Sequence, residues 1–347
     1  MADELARRRG GWTRTGRKGA FRYLDAKGRQ IRDEAALERI GQLAIPPAWK
    51  DVRISPSPRA KVQATGYDRA GRKQYLYHAD YRAAQEQAKY DSLVRFAERL
   101  PDLRAAMAEH LDREGLDRER VSAIALRLIN LGWFRVGSER YARGSGTYGI
   151  TTLTRRHVTI RGHRITLAFR GKHKIEVRTS VVDEELADAM RELLEVPGGA
   201  RVFRYRWEGG VYNLTSKRLN DYVKLYLGPE YSAKDFRTWG GTLLAGIALA
   251  ERAGREGFPE TKTDEKRAVA AVMRRVAQQL GNTPAVCRAS YVSPAVIEQY
   301  LDGRTIEDFR PRHLRVVGAR DAGLDPEEAA LLSLLRSWRI RQGRAAA

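Results

Sequence analysis

The sequence predicts an α+β protein, with a small β-rich N-terminal domain over residues 1–90 and a larger, mainly α-helical domain over residues 91–347 that includes a small three-stranded sheet. Three observations predict it. Short alternating segments flank glycine-containing turns before residue 80, and apolar residues recur at helical spacing from about Tyr81. The first ninety residues also hold 20 Lys and Arg against 10 Asp and Glu, which is +10 of the formal +21. At 347 residues the chain can build two separate cores, and 42% hydrophobic residues mark it as globular.

In the first domain, Gly11–Tyr23 and Gln63–His78 each read as two short strands about a turn. An amphipathic helix over Glu34–Leu43 lies between them and stops before Pro46-Pro47. Gly71 to Tyr77 runs Gly-Arg-Lys-Gln-Tyr-Leu-Tyr, and on a strand Lys73, Tyr75 and Tyr77 share one face. A cation interleaved with phenols suits contact with phosphate and with base edges or sugar. Ordinary cross-strand aromatic pairing accounts for it equally well.

The second domain opens with helical spacing over Tyr81–Arg99. Val121–Phe134 is apolar on most faces, as in a helix buried nearly all round. Arg135 follows at once, and an arginine held against a core needs an anion or a set of acceptors. A helix C-terminus favours arginine in any case. Strands are expected at His157–Ile160, Arg164–Phe169 and His173–Val177. The turn Gly171-Lys172-His173-Lys174 puts Lys172 at a hairpin tip, where most lysines are simply solvated.

Helices over Asp183–Leu194 and Thr215–Leu227 lead to Ser232-Ala233-Lys234-Asp235, which has the Ser-x-x-Asp form of a helix start with Ser232 as cap. Lys234 and Arg237 then share a face of the first turns, and the almost wholly apolar run Trp239 to Ala250 carries the helix into a core. Cations beside the free N–H groups of a helix start conflict unless an anion such as phosphate joins them. A salt bridge from Arg237 to a buried carboxylate is the structural alternative. Thr263–Leu280 reads as a further helix, capped by Gly281, that delivers Asn282 and Tyr291. A helix near Pro326–Arg339 closes the chain, and the Arg/Ala-rich tail beyond it is expected to be disordered.

Composition narrows the function. A charge of +21 and a pI near 10.3 call for a polyanionic partner, with nucleic acid first. The single cysteine, Cys287, excludes an internal disulfide and fits a reducing compartment. Met1 to Gly10 is charged and lacks the apolar core of a secretory leader, and no run approaches the ~20 apolar residues that span a bilayer. The six histidines fall in no metal-ligand spacing, no Cys-x-x-Cys pair exists, and no Gly-x-x-x-x-Gly-Lys-Ser/Thr loop offers a phosphate cradle. The expectation is therefore no cofactor, no metal and no nucleotide.

Phe134-Arg135-Val136-Gly137, Gly171-Lys172-x-Lys174, Lys234-Asp235-Phe236-Arg237-Thr238-x-Gly240 and Gly281-x-Thr283-Pro284 with Tyr291 resemble the active-site segments of type IB DNA topoisomerases, in particular the small poxvirus-like kind also found in bacteria. Their order and spacing agree over most of the chain. Gly71–Tyr77, preceded by Thr65-Gly66-Tyr67-Asp68, resembles the DNA-contacting strand of that family's N-terminal domain. The resemblance implies a C-shaped clamp on double-stranded DNA, with Arg72, Lys73, Gln74, Tyr75, Tyr77 and Tyr141 among its contacts. It also implies reversible transesterification, in which Tyr291 attacks a backbone phosphate, forms a 3′-phosphotyrosyl bond and frees a 5′-hydroxyl. The cut strand swivels and is resealed without ATP.

In that chemistry Arg135 and Arg237 suit the nonbridging oxygens of the transition state, because a guanidinium stays charged and binds two oxygens at once. Asn282 would donate to the same oxygens. Many members of the family carry histidine at that place, so asparagine is a departure that favours oxyanion binding over proton transfer. Lys172 is the best general acid for the leaving 5′-oxygen, with Lys234 as a relay, and the same cationic field would activate Tyr291. A monomer associated with the cytoplasmic nucleoid is expected. A tyrosine recombinase shares the chemistry, but its second arginine usually follows a His-x-x-Arg pattern, whereas this chain has Lys234-Asp235-Phe236-Arg237. A non-enzymatic architectural DNA-binding protein would give no reason for Lys172, Arg237 and Tyr291 to occur together.

Overall fold

Five short strands, β1 (Trp12–Arg17), β2 (Ala20–Leu24), β3 (Lys50–Ile54), β4 (Val62–Tyr67) and β5 (Lys73–Tyr77), pair antiparallel in the order β2-β1-β3-β4-β5. They belong to a computed structural model that describes residues 11–310 and 323–345 and divides into two units, one up to Lys89 and one from Tyr90 on. Residues 1–10, whose charge argues against a secretory leader, lie outside the described residues. Helix α1 (Glu34–Gln42) begins where the Asp33 carboxylate accepts the Ala36 N–H at 2.8 Å. Ile40 of α1 packs with Ile45, Val52, Ile54 and Ala64 to make the small core of the first unit. The sequence reading missed β3. Only Val52 and Ile54 alternate there, directly after a proline pair, and both are buried.

Helix α2 (Ala79–Leu111) begins within the residues of the first unit, runs into the second and continues through Pro101, where a stop was expected after Arg99. The buried face formed by Phe96, Leu100, Leu103 and Met107 runs past the proline, and that packing outweighs the hydrogen bond it removes. Helix α3 (Arg118–Gly132), capped by Asp117, is buried on nearly every face, and its neighbours include three further elements. These are α5 (Glu184–Glu195), α6 (Ser216–Leu227) and strand β8 (Glu176–Val182). Strand β8 pairs with β7 (Arg164–Arg170), and β7 with β6 (Val158–Arg161), so the expected three-stranded sheet is present. The third strand starts later than expected because residues 172–174 form the turn. The elements not foreseen include the short helix α4 (Glu139–Ser145) and a hairpin of β9 (Arg204–Trp207) with β10 (Gly210–Asn213).

Helix α7 (Asp235–Glu256) packs against α8 (Lys262–Leu280), and α9 (Pro284–Ser290) and α10 (Pro294–Leu301) follow. The Phe96 ring meets Phe236 edge-on at 5.2 Å and lies 5.8 Å from Tyr231. Such pairs contribute about 0.5–1.5 kcal/mol each beyond the area they bury. The start of α7 corrects the expected cap. Ser232 lies in the preceding turn and its hydroxyl meets the Asp235 carboxylate at 3.0 Å, while Lys234 stands at the cap position without a side-chain cap bond. Helix α11 (Pro326–Ala345) runs beyond Arg339, so the first residues of the expected disordered tail are helical. No helix among the described residues is long and apolar enough to cross a membrane.

Two buried histidines give the fold a pH dependence. His110 Nδ1 sits 2.8 Å from the Tyr222 hydroxyl, and burial, then Arg113, holds its pKa below the usual 6.5. Burial, then Arg156 and Arg201, does the same to His157. The unfolded chain binds these protons more readily, so their stabilisation is complete above about pH 6.5 and is lost as pH falls from there through the lowered folded-state pKa values. The melting temperature should drop between pH 7.5 and 5, and His110→Gln should reduce the drop. An equal drop in that variant would clear His110 of the effect.

Candidate active site

Helices α3 and α8 end at one place, and their exposed carbonyls make the site. Trp133 caps α3 in the left-handed region, φ 50°, a conformation uncommon outside glycine. At the end of α8, Gly281 takes φ 58°, its N–H meets the Gln278 carbonyl, and the Asn282 N–H returns to the Ala277 carbonyl at 2.9 Å. This is a Schellman turn, and it leaves the carbonyls of Leu280 and Gly281 facing away from the helix. The expected glycine cap is therefore present.

Arg237, on the first turn of α7, is 4% exposed. Its guanidinium donates to the Trp133 carbonyl and, at 2.7 Å, to the Leu280 carbonyl. Arg135 donates to the Gly281 carbonyl at 3.2 Å and to Asn282 Oδ1 at 2.5 Å. Because arginine can only donate, that contact fixes the amide and turns Asn282 Nδ2 away. These four acceptors are carbonyl or amide oxygens, and among the described residues no carboxylate pairs with Arg237, so the salt bridge that the sequence left open is not what holds it. Helix C-termini supply partial negative charge in its place. The compensation is incomplete: burial, then Arg135, lowers the Arg237 pKa to about 10, with Tyr291 acting in the opposite sense. Burial also lowers that of Arg135. Among the described residues Arg237 Nε and Asn282 Nδ2 are buried donors without a partner. Two adjacent cations with spare donors form a site for an oxyanion.

Tyr291 reaches this pair by way of α9. Thr283 caps that helix, Pro284 occupies its first turn, and Tyr291 lies at its end, its N–H bonded to the Cys287 carbonyl at 2.9 Å. The Arg237 guanidinium lies 5.1 Å from the centre of the Tyr291 ring. The Tyr291 carbonyl accepts from Thr242 Oγ1 at 3.3 Å. Glycines on α7 permit the approach, since a Cβ on Gly241 would stand 2.6 Å from the Tyr291 carbonyl oxygen and one on Gly240 2.2 Å from Trp133 Nε1. Gly241→Ala should therefore displace Tyr291 and slow the strand cleavage that the sequence resemblance implies by about 10²-fold, the cost of a displacement near 1 Å. Single-turnover cleavage beside duplex affinity measures this, and an unchanged rate would show that the approach is slack.

The structure thus brings together Arg135, Arg237, Asn282 and Tyr291. It does not bring Lys172 or Lys234 into contact with them. Lys172 is exposed on the β7–β8 turn, where His173 and Lys174 both take φ 61°. Its neighbours Gly171 and Ile175 line a cleft of about 150 Å3 together with Arg135 and Arg237. Lys234 is exposed at the start of α7, so the shared face expected with buried Arg237 is not seen. Tyr148 also lines the cleft and was not singled out from the sequence. Its ring lies 4.5 Å from that of His157, and its hydroxyl accepts from Arg156 at 3.2 Å. An isolated tyrosine in a loop gives no periodic or motif signal.

In the first unit, Lys73 Nζ lies 5.6 Å from the Tyr75 ring centre, and Tyr75 stacks with Tyr77 at 6.1 Å, as their shared strand face requires. Asp68 in the preceding turn accepts from Arg72 and, at 3.0 Å, from Gln74. The Arg72 side chain and backbone hold the Asp68 pKa down to about 2. Arg72 and Gln74 are therefore engaged with a carboxylate. Tyr141 is 47% exposed on α4.

Two family models match the chain. "Eukaryotic DNA topoisomerase I, catalytic core" matches residues 78–309, and "Bacterial DNA topoisomerase IB, N-terminal domain" matches residues 20–68. DNA topoisomerase 1B of Acanthamoeba polyphaga mimivirus is 33% identical over 269 residues, 76% of this chain and 80% of that protein. DNA topoisomerase 1B of vaccinia virus (strain Copenhagen) is 20% identical over 277 residues, 78% of this chain and 83% of that protein.

Proposed function

The chain belongs to the type IB DNA topoisomerases, and from that premise we propose that Tyr291 is the nucleophile by which it opens and reseals one strand of duplex DNA. The phenolic oxygen gives up its proton to solvent and attacks a backbone phosphorus, the bond from phosphorus to the 5′-oxygen breaks, and the phosphate is left joining Tyr291 to the 3′-oxygen of the cut strand. Arg135 and Arg237 bind the nonbridging oxygens as charge accumulates there, and Asn282 Nδ2 adds a donor. Lys172 gives the proton that the departing 5′-oxygen needs, with Lys234 as relay. Resealing is the same step reversed, so the bond energy is conserved and no ATP is consumed. The strand swivels between the two steps, releasing supercoils.

In this reading the first unit contacts duplex through Arg72, Lys73, Gln74, Tyr75 and Tyr77. The second contributes Tyr141 and the catalytic groups, and the two units close as a C-shaped clamp, monomeric and working on the nucleoid. The observation that carries the proposal is the pairing of buried Arg237 with half-buried Arg135, both held by carbonyl and amide oxygens, beside a tyrosine, with donors to spare.

The test is covalent trapping. A nicked duplex labelled at the 5′ end of the scissile strand is incubated in EDTA without ATP and stopped with detergent. The expected product is labelled protein whose adduct maps to the peptide holding Tyr291. An adduct that maps elsewhere, or forms only with added magnesium, would overturn the proposal.

A further inference from the structure

Helix α11 starts with a reciprocal cap. The Glu328 N–H donates to Asp325 Oδ1 at 2.7 Å, and the Asp325 N–H donates to Glu328 Oε2 at 3.2 Å. Glu328 is only 4% exposed, which is unusual for a charged side chain. It is also fully engaged. Arg104 of α2 donates to its two oxygens at 2.7 and 2.8 Å, and the Trp239 indole N–H of α7 donates to Oε1 at 2.8 Å. Arg104 reaches onward to Asn130 Oδ1 of α3 at 3.2 Å and to the Gly323 carbonyl at 2.8 Å. One carboxylate thus joins α11, α2 and α7 directly, and α3 through Arg104.

The places it joins are those that frame Arg237. Trp239 follows Arg237 by two residues on α7. Asn130 precedes by three residues the Trp133 whose carbonyl receives the Arg237 guanidinium. Apolar packing could attach α11 to the core at least as firmly, because a buried ion pair seldom adds net stability over hydrophobic contacts. What directional bonds add is register. We propose that Glu328 is a positioning residue, which fixes α7 against α3 so that the Arg237 guanidinium is held between the Trp133 and Leu280 carbonyls beside Tyr291. The inference rests on the reading that Arg237 acts on the scissile phosphate.

Glu328→Gln keeps the shape and the acceptor for Trp239 but removes the charge that grips Arg104. Single-turnover cleavage should fall roughly tenfold or more while duplex affinity stays unchanged. The same substitution made in an Arg237→Ala background should cost less than about twofold further, because the group it positions is gone. An equal fractional loss in both backgrounds, or no loss in the wild-type background, would overturn the proposal. Arg237→Ala alone tests the reading beneath it, and a rate within about tenfold of wild type would remove Arg237 from the site whatever the cycle shows. If Glu328→Gln does not fold, Trp239→Phe removes the indole donor together with part of a buried ring, and carries the same cycle with the same two outcomes.

Discussion

Tyr291→Phe is expected to bind supercoiled plasmid as the wild type does and to leave it supercoiled, in EDTA and without ATP, where the wild type relaxes it. The substitution removes one oxygen and little else. The Tyr291 ring is partly buried against the main core, and its backbone is held by the Cys287 carbonyl and by Thr242, contacts that phenylalanine retains. The fold and the surface offered to DNA should therefore survive. What disappears is the atom that forms the new bond to phosphorus. Loss of a nucleophile costs at least about 10⁴-fold in rate, which places relaxation below detection. Detectable relaxation by this variant would place the nucleophile elsewhere.

Much of this site was legible in the sequence because its side chains are chemically distinctive and fall beside helix boundaries. Arg135 stands out because it follows a run apolar on most faces, and Arg237 because it precedes one. The acceptors were not legible. Both arginines are held mainly by main-chain carbonyls, those of Trp133, Leu280 and Gly281, and any residue carries a carbonyl. The left-handed turn at Trp133 is equally silent, since glycine is the residue expected there. Elements escaped notice for two reasons. Strand β3 and helix α9 are short, and Pro284 at the start of α9 reads as a breaker although the first turn of a helix tolerates it. Helix α2 outran its expected end because burial beyond Pro101 outweighed the proline. The Glu328 network was invisible for a further reason: its members lie far apart along the chain, and Glu328 in sequence is an ordinary first-turn acid.

Arg237→Ala should slow cleavage by about 10³–10⁵-fold while weakening DNA binding far less, as when a transition-state arginine is removed. The structure explains why the effect should concentrate in the chemical step. Arg237 is almost entirely buried beside a second cation, and that surrounding has lowered its pKa to about 10 without removing its charge at neutral pH. The charge is therefore costly in the free protein and is relieved when phosphate oxygens arrive, most of all when they carry the extra charge of the transition state. Alanine gives up that gain and leaves two helix-end carbonyls short of a donor, so some loss of stability should accompany the loss of rate. Arg237→Lys separates charge from geometry. A lysine is a point charge and cannot serve the Trp133 and Leu280 carbonyls with a planar fork while also presenting a donor to phosphate. It should remain at least about 10²-fold slower than wild type. Recovery by lysine to within tenfold would mean that charge alone suffices, and the placement of the guanidinium between two helix ends would lose its catalytic meaning.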